Sequence, residues 1–111
     1  MSTNVKVLEP AGILDSTKAE EFRQAADQLL QDGAEIILID LKDISFIDSS
    51  GLGTLVVLLK KVRGMGRKLC ICSINDQVRM LFELTNMDQV FDVYSDRQAF
   101  EQEVLQPLDN G

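Results

Sequence analysis

The chain alternates between short apolar runs and longer segments in which apolar residues recur every three or four positions. This alternation is typical of α/β proteins. Continuous apolar runs of strand length occupy 35–41 and 68–74, and such runs indicate strands buried on both faces. Shorter strands are predicted over 5–13, 45–47 and 90–94. Pro10 and Gly12 disturb the first of these, which Pro10 allows only at an edge or a bulge.

Four amphipathic helices are predicted between and after these strands. They are expected over 15–33, from about 52 to 62, after Asn75 and after Ser95. Thr17 with Glu20 and Ser95 with Gln98 have the spacing of a capping box, and Asn75 is a favourable N-cap residue. Strands separated by helices pair in parallel through right-handed crossovers. The pattern therefore predicts a sheet of four or five strands, covered by about four helices.

Composition fits one domain spanning 1–111, with a core over about 4–105 and a flexible tail at 106–111. The apolar fraction is 45% and the charged fraction 26%, as in packed globular proteins. The net charge of -7 disfavours direct binding to nucleic acid or to an anionic membrane. The chain shows neither a signal peptide nor an apolar run long enough to span a membrane, so we expect a cytoplasmic protein.

The absence of histidine narrows the possible chemistry. It excludes the commonest general base and the usual Ser-His and Cys-His nucleophile pairs. Cys70 and Cys72 lie two positions apart on one predicted strand, where we interpret them as small buried residues. We predict no catalytic, cofactor-binding or metal-binding residue.

One segment, 48–51, interrupts two apolar runs with Asp-Ser-Ser-Gly and raises the question of function. These residues could simply cap the following helix, with Gly51 and Gly53 permitting close packing on the sheet. Catalytic alternatives are weaker. The segment is not Gly-x-Ser-x-Gly, and a dinucleotide fingerprint would need glycine where Val56 stands. A regulatory or protein-binding role is therefore favoured over an enzyme.

The sequence FIDSSGLGTL, 46–55, resembles the signature of STAS domains, the anti-sigma-factor antagonists. GILD, 12–15, is similar to the Gly-Glu-Leu-Asp entry of that family into its first helix. The match runs in order from about Val5 to about Val104. The resemblance implies a single STAS domain, built as a mixed sheet covered by helices.

The resemblance also implies a regulatory cycle. Ser49 matches the serine that a partner serine kinase phosphorylates, and that kinase is in many cases itself the anti-sigma factor. The unphosphorylated protein would bind the kinase and displace its sigma factor, and a PP2C-type phosphatase would reset the cycle. The predicted partner-binding residues are Asp15, Asp48, Ser50, Gly51 and Leu52. On the following helix, Val57 and Leu58 fall outside the main apolar stripe, so either could face a partner.

Two departures from the family pattern concern the first strand and the partner contacts on that side. The chain begins too late for the additional strand that usually precedes the one at Val5, and Ile13 stands where an acidic residue is frequent. Two alternatives remain open: a STAS scaffold or interaction module that is never phosphorylated, and a small nucleotide-binding protein suggested by Gly51 and Gly53.

Overall fold

The computed structural model describes residues 4–105 of the chain. The strands and α-helices in this range are β1 (Val5–Leu8), β2 (Gly12–Leu14), α1 (Ala19–Gln31), β3 (Ile36–Asp40), β4 (Ile44–Ile47), α2 (Ser49–Gly64), β5 (Lys68–Cys72), α3 (Asp76–Leu84), β6 (Asp92–Tyr94) and α4 (Arg97–Phe100). Short 3₁₀ turns cover Ser16–Lys18 and Met87–Gln89, and α4 continues as a π-turn over Glu101–Leu105. The tail predicted at 106–111 lies outside the described residues.

The central sheet has four strands in the order β1-β3-β5-β6. The predicted strands at 35–41 and 68–74 are confirmed as β3 and β5, which pair in parallel with Leu38 opposite Cys70. Every residue of β3 is buried. The continuous apolar run is therefore explained by helices that cover both faces of the sheet.

The first predicted strand is not one strand but two, and this corrects the sequence prediction. β1 pairs with β3 in the central sheet, whereas β2 pairs with β4 in a separate two-stranded sheet. Pro10 cannot donate to a strand ladder, and Gly12 has a φ of +86°. The chain therefore leaves the central sheet after Leu8 and starts a new ladder at Gly12.

The α/β class and the four covering helices are confirmed. The strand pairs within residues 4–105 are all parallel, so the mixed character that the resemblance implied is not seen in this range. The physical reason is the connectivity, because each pair is joined by a crossover that contains a helix. No helix among the described residues is long and apolar enough to cross a membrane.

Neither predicted capping box forms. The Thr17 hydroxyl donates to the carboxylate of Asp15, which caps the 3₁₀ turn, and Glu20 instead accepts from Arg23. At α4 the cap is Asp96, one residue later than predicted, and its carboxylate accepts from the backbone of Ala99 at 2.8 Å. Aspartate competes well with serine and threonine for these orphan N–H groups because its charge favours a helix N-terminus.

Two apolar clusters fill the space on either side of the central sheet. The larger cluster packs α1, α2 and α3 against one face, and the smaller packs Phe100 and Val104 against the other. Cys70 and Cys72 are fully buried in the smaller cluster, as predicted. Burial raises the pKa of the Cys70 thiol to about 11, so this thiol is protonated at neutral pH.

Candidate functional site

The two sequence regions singled out above meet at the end of the two-stranded sheet. β2 and β4 are parallel, and Leu14 lies opposite Ile47 in their register. Asp15 and Asp48 are the next residues on each strand, so both emerge at the same edge. The backbone N–H of Asp48 donates to the carbonyl of Leu14 at 3.3 Å, which extends the ladder by one step.

Ser49 is the first residue of α2, and its side chain is exposed. The cap of this helix is Asp48, whose carboxylate accepts from the backbone N–H of Gly51 at 2.8 Å. Ser50 is exposed as well. Because Asp48 makes the capping hydrogen bond, the helix does not depend on either serine for its N-cap. Both hydroxyls therefore lie at the positively polarised end of a sixteen-residue helix.

Gly51 is required by close packing. A Cβ at this position would lie 2.1 Å from the carbonyl oxygen of Leu14 and 2.9 Å from Cγ1 of Ile47. Its neighbour Leu52 is 6% exposed and belongs to the apolar core. In the free protein, Gly51 and Leu52 thus hold the segment against β2 and β4, and a direct partner contact through them stays a prediction.

Gly53 behaves differently from Gly51. A Cβ at Gly53 would meet no atom within 4 Å, so the close packing expected of this glycine is wrong. It is an exposed glycine inside a helix, a position that disfavours helix formation by about 1 kcal/mol relative to alanine. Packing within the described residues therefore gives no reason for glycine here.

Asp15 is half-buried beside the segment. Its carboxylate accepts from the Thr17 hydroxyl at 2.5 Å and from the Thr17 backbone N–H at 3.0 Å. The Thr17 hydroxyl is the main reason why the pKa of Asp15 lies below its ordinary value. Asp15 and Asp48 together therefore place two carboxylates at the strand ends beside Ser49, and Asp15 is ionised at neutral pH.

A shallow groove of about 490 Å³ runs between α1 and α2, starting at Ser50. Its floor is mostly apolar, with Phe22 on α1 and Val57 on α2. Val57 is 62% exposed, whereas Leu58 is buried, so Val57 alone of these two faces solvent. Lys61, which pairs with Asp27, lies at the far end. The groove extends the exposed surface from the serines along the helix.

Two residues that the sequence did not single out for this role hold β4 from the side opposite β2. Gln77 bonds twice to the backbone of Ile47, and Asn75 bonds to the carbonyls of Ile44 and Ser45. The predicted capping role of Asn75 is confirmed, because its side chain accepts from Val78 at 2.9 Å. Nothing in the local pattern distinguishes these amides from ordinary first-turn residues.

The buried carboxylate of Asp40 lies at the carboxyl end of the central sheet, where open α/β sheets often bind ligands. Its oxygens accept from Arg97 at 2.8 Å and from the backbone of Lys42 at 3.0 Å, so its partners are internal. Arg97 also pairs with Glu9. Within the described part of the chain, no group of three or more carboxylate or thiol side chains could hold a metal ion.

Comparisons with known proteins agree with this geometry. The STAS domain family model matches residues 2–100. The anti-sigma-B factor antagonist of Staphylococcus aureus is 32% identical over 82 residues, which are 74% of this chain and 76% of that protein. The crystal structure of TM1081 from Thermotoga maritima superimposes with a TM-score of 0.82 at 30% identity, covering 90% of this chain and 86% of that one.

A more distant likeness concerns the fold alone. The Bacillus anti-sigma factor antagonist SpoIIAA, at 17% identity, has been solved in an unphosphorylated form with a TM-score of 0.73 and in a phosphorylated form with a TM-score of 0.68. The two structures cover 92% of this chain, and 90% and 93% of SpoIIAA. With a family model that spans nearly the whole sequence, these findings establish the relationship: the chain belongs to the STAS domain family.

Proposed function

We propose that this protein is a cytoplasmic anti-sigma-factor antagonist that is switched by phosphorylation of Ser49. Unphosphorylated, it binds a partner serine-protein kinase that acts as the anti-sigma factor, and thereby frees the sigma factor. Phosphorylated, it is released, and a PP2C-type phosphatase restores the binding form. The single observation that carries this proposal is the exposed Ser49 side chain at the first position of α2, in a turn capped by its neighbour Asp48.

The position of Ser49 decides how a phosphate would act. It would add about -1.5 to -2 charges at a helix N-terminus, where an anion is favourable by about 0.3–1 kcal/mol. The fold should therefore tolerate the modification. Across an interface, by contrast, juxtaposed like charges cost several kcal/mol. Because about 1.4 kcal/mol corresponds to a factor of ten, loss of about 3 kcal/mol would weaken binding more than a hundredfold.

The carboxylates of Asp15 and Asp48 favour the same outcome. Both emerge beside Ser49 at the end of the two-stranded sheet, and we assign both to the partner-binding surface. A partner that accommodates these two acidic groups has to present basic or hydrogen-bond-donor groups. Phosphorylation of Ser49 would add about -1.5 to -2 charges to this surface, about as much as the two carboxylates carry together.

The groove between α1 and α2 provides a contact area beyond the serines. Ser50, Gly53 and Val57 line it in succession along α2, at the spacing of one helical face. Val57 is more than half exposed, and Gly53 leaves the helix backbone uncovered. We infer that the partner packs an apolar side chain over Val57 and approaches the backbone at Gly53.

The decisive experiment compares Ser49→Ala and Ser49→Asp with the wild type. The Ser49→Ala protein serves as bait to capture the partner kinase from native cytoplasm, and titration calorimetry then measures its affinity for each variant. We expect wild-type affinity for Ser49→Ala and at least a hundredfold loss for Ser49→Asp. Ser95→Asp is the matched control, because it adds the same charge at an exposed serine in the β6–α4 connection.

Intact-mass measurement completes the test. Incubation with the captured kinase and ATP should add a single phosphate to the wild type and none to Ser49→Ala. Equal affinity of the partner for wild type and Ser49→Asp would contradict the switch. The domain would then be the second candidate, an interaction module that uses the α1–α2 groove and is never phosphorylated.

The nucleotide-binding alternative loses its main support. It depended on Gly51 and Gly53 as a loop able to approach phosphates closely. Gly51 packs instead against the carbonyl of Leu14, so its backbone is not accessible to a ligand. Equilibrium binding of labelled nucleotides should detect no tight complex.

A further inference from the structure

Among residues 4–105, β4 has a strand neighbour on one side only, since it pairs with β2 in a two-stranded sheet. Along its other edge, side chains from α3 take the place of a strand. The backbone N–H of Ile47 donates to Oε1 of Gln77 at 2.9 Å, and Nε2 of Gln77 donates to the carbonyl of Ile47 at 2.8 Å. A planar amide that forms both bonds fixes the orientation of the peptide as well as its position.

Asn75 attaches the same helix to the start of the strand. Its Oδ1 accepts from the backbone N–H of Val78, and its Nδ2 donates to the carbonyl of Ile44 at 3.1 Å. Asn75 therefore caps α3 and anchors it to β4 at once. With α3 anchored in this way, Gln77 on its first turn is held opposite Ile47.

The contact with Gln77 lies directly before the Ser49 turn. Ile47 precedes Asp48, which bonds to Leu14 on the side of β2 and caps α2 through Gly51. The peptide that leads into Ser49 is thus held from two sides, by β2 and by α3. Of the two attachments, only the one to α3 depends on a single side chain.

We propose that Gln77 is a positioning residue for the Ser49 turn, and that its side-chain amide sets the orientation in which Ser49 meets a kinase or a partner. The structural half of this inference stands on the hydrogen bonds alone. The functional half rests on the proposed function of Ser49. Gln77 bonds to the backbone of Ile47, so its effect on Ser49 passes through the backbone of Ile47 and Asp48.

Amide hydrogen exchange tests the structural half without a kinase. The informative groups are the N–H of Asp48 and the N–H of Gly51, because neither is bonded to Gln77. In the Gln77→Ala variant we expect both to exchange at least tenfold faster relative to the central β3 amide of Ile39. Gln77→Glu retains an acceptor for the Ile47 N–H but loses the donor to the Ile47 carbonyl. Its exchange rates, relative to Ile39, should lie between those of the wild type and those of Gln77→Ala.

Val78→Ala is the matched control. Val78 is fully buried on the same helix, so its truncation lowers stability without removing either bond to Ile47. The exchange ratio in Val78→Ala should equal that of the wild type. An unchanged ratio in Gln77→Ala, or the same increase in Val78→Ala, would overturn the inference.

Phosphorylation kinetics test the functional half. With the kinase that modifies Ser49, Gln77→Ala should lose at least tenfold in kcat at nearly unchanged KM, because the groove between α1 and α2 is intact. Val78→Ala, assayed where both variants are folded, should retain the wild-type kcat. An equal kcat for Gln77→Ala and wild type rejects the functional role. If no kinase modifies the wild type, the proposed function fails, while the exchange experiment still decides whether Gln77 positions the turn.

Discussion

The two sheets of this molecule differ in how far apolar burial holds them and how far they depend on specific hydrogen bonds. In the four-stranded sheet, β3 is buried along its whole length, and apolar clusters cover both faces. In the two-stranded sheet, Ile13 and Phe46 lie opposite each other with about half of each side chain exposed, and polar amides of α3 close one edge. The four-stranded sheet is fixed by apolar contacts on both faces. The two-stranded sheet joins the same core on one face only, through Leu14, Ile44 and Ile47, and specific hydrogen bonds fix one of its edges.

This difference explains where the candidate site lies. Apolar burial stabilises the architecture but specifies orientation weakly, because any well-packed side chain of similar volume can contribute. Hydrogen bonds to single backbone groups specify orientation and depend on individual residues. The Ser49 turn follows β4 of the two-stranded sheet, so the geometry of the turn can be altered without loss of the fold.

The largest effect on stability should come from the centre of the four-stranded sheet. Ile39 is fully buried in β3, so Ile39→Ala should lower the free energy of unfolding by about 3–4 kcal/mol. Phe46→Ala in the two-stranded sheet should lower it by less than about 1 kcal/mol, since Phe46 is 45% exposed. Urea denaturation followed by circular dichroism measures both. Similar losses for the two variants would show that the outer face of the two-stranded sheet is packed as tightly as the centre of the four-stranded one.

The next effect separates two glycines that lie two residues apart. Gly51→Ala forces a Cβ against the Leu14 carbonyl and should reduce the free energy of unfolding by about 2–3 kcal/mol. Gly53→Ala meets no atom, and should raise it by about 0.5–1 kcal/mol through helix propensity alone. The same alanine should also weaken partner binding if the partner approaches the backbone at Gly53. Denaturation and calorimetry on both variants check these signs, and a destabilised Gly53→Ala would contradict them.

The prediction with the smallest expected change in stability concerns the reactivity of thiols in the central sheet and at position 49. Burial is the main reason why the pKa values of Cys70 and Cys72 are raised, so little reactive thiolate is present at about pH 8, near the ordinary thiol pKa. The folded wild type should therefore not react with a thiol reagent at this pH. Ser49→Cys should add a single reactive thiol with unchanged stability. With a thiol reagent that releases a coloured product, absorbance measures how many thiols react, and denatured protein serves as the control. Rapid labelling of the folded wild type would show that the central sheet opens more readily than its packing indicates.

Much of the central sheet was predictable because its signal is local. The continuous apolar runs at 35–41 and 68–74 fall on β3 and β5, and Asn75 caps α3 as its residue type suggests. The prediction of a single strand over 5–13 is wrong. Pro10 and Gly12 marked the break, but a sequence does not say that the two halves join different sheets.

The candidate site was only partly predictable for a related reason. The segment 48–51 identified the turn, and the resemblance singled out Ser49. Which glycine packs against β2 depends on how α2 is rotated over the sheet, so Gly51 and Gly53 look alike in sequence. The role of Gln77 depends on a contact thirty residues away along the chain, set by the placement of α3.

The amides of Asn75 and Gln77 have one more consequence, for behaviour at high concentration. An open strand edge is a template onto which another molecule can add its own strand, and such additions lead to aggregates. Along β4 the carbonyls of Ile44, Ser45 and Ile47 and the N–H of Ile47 are already occupied by these amides. The outer strands of the other sheet, β1 and β6, are only four and three residues long, which limits the same hazard there. Loss of Gln77 should therefore also leave the backbone of Ile47 unpaired at this strand edge, and increase the tendency of the protein to form fibrils.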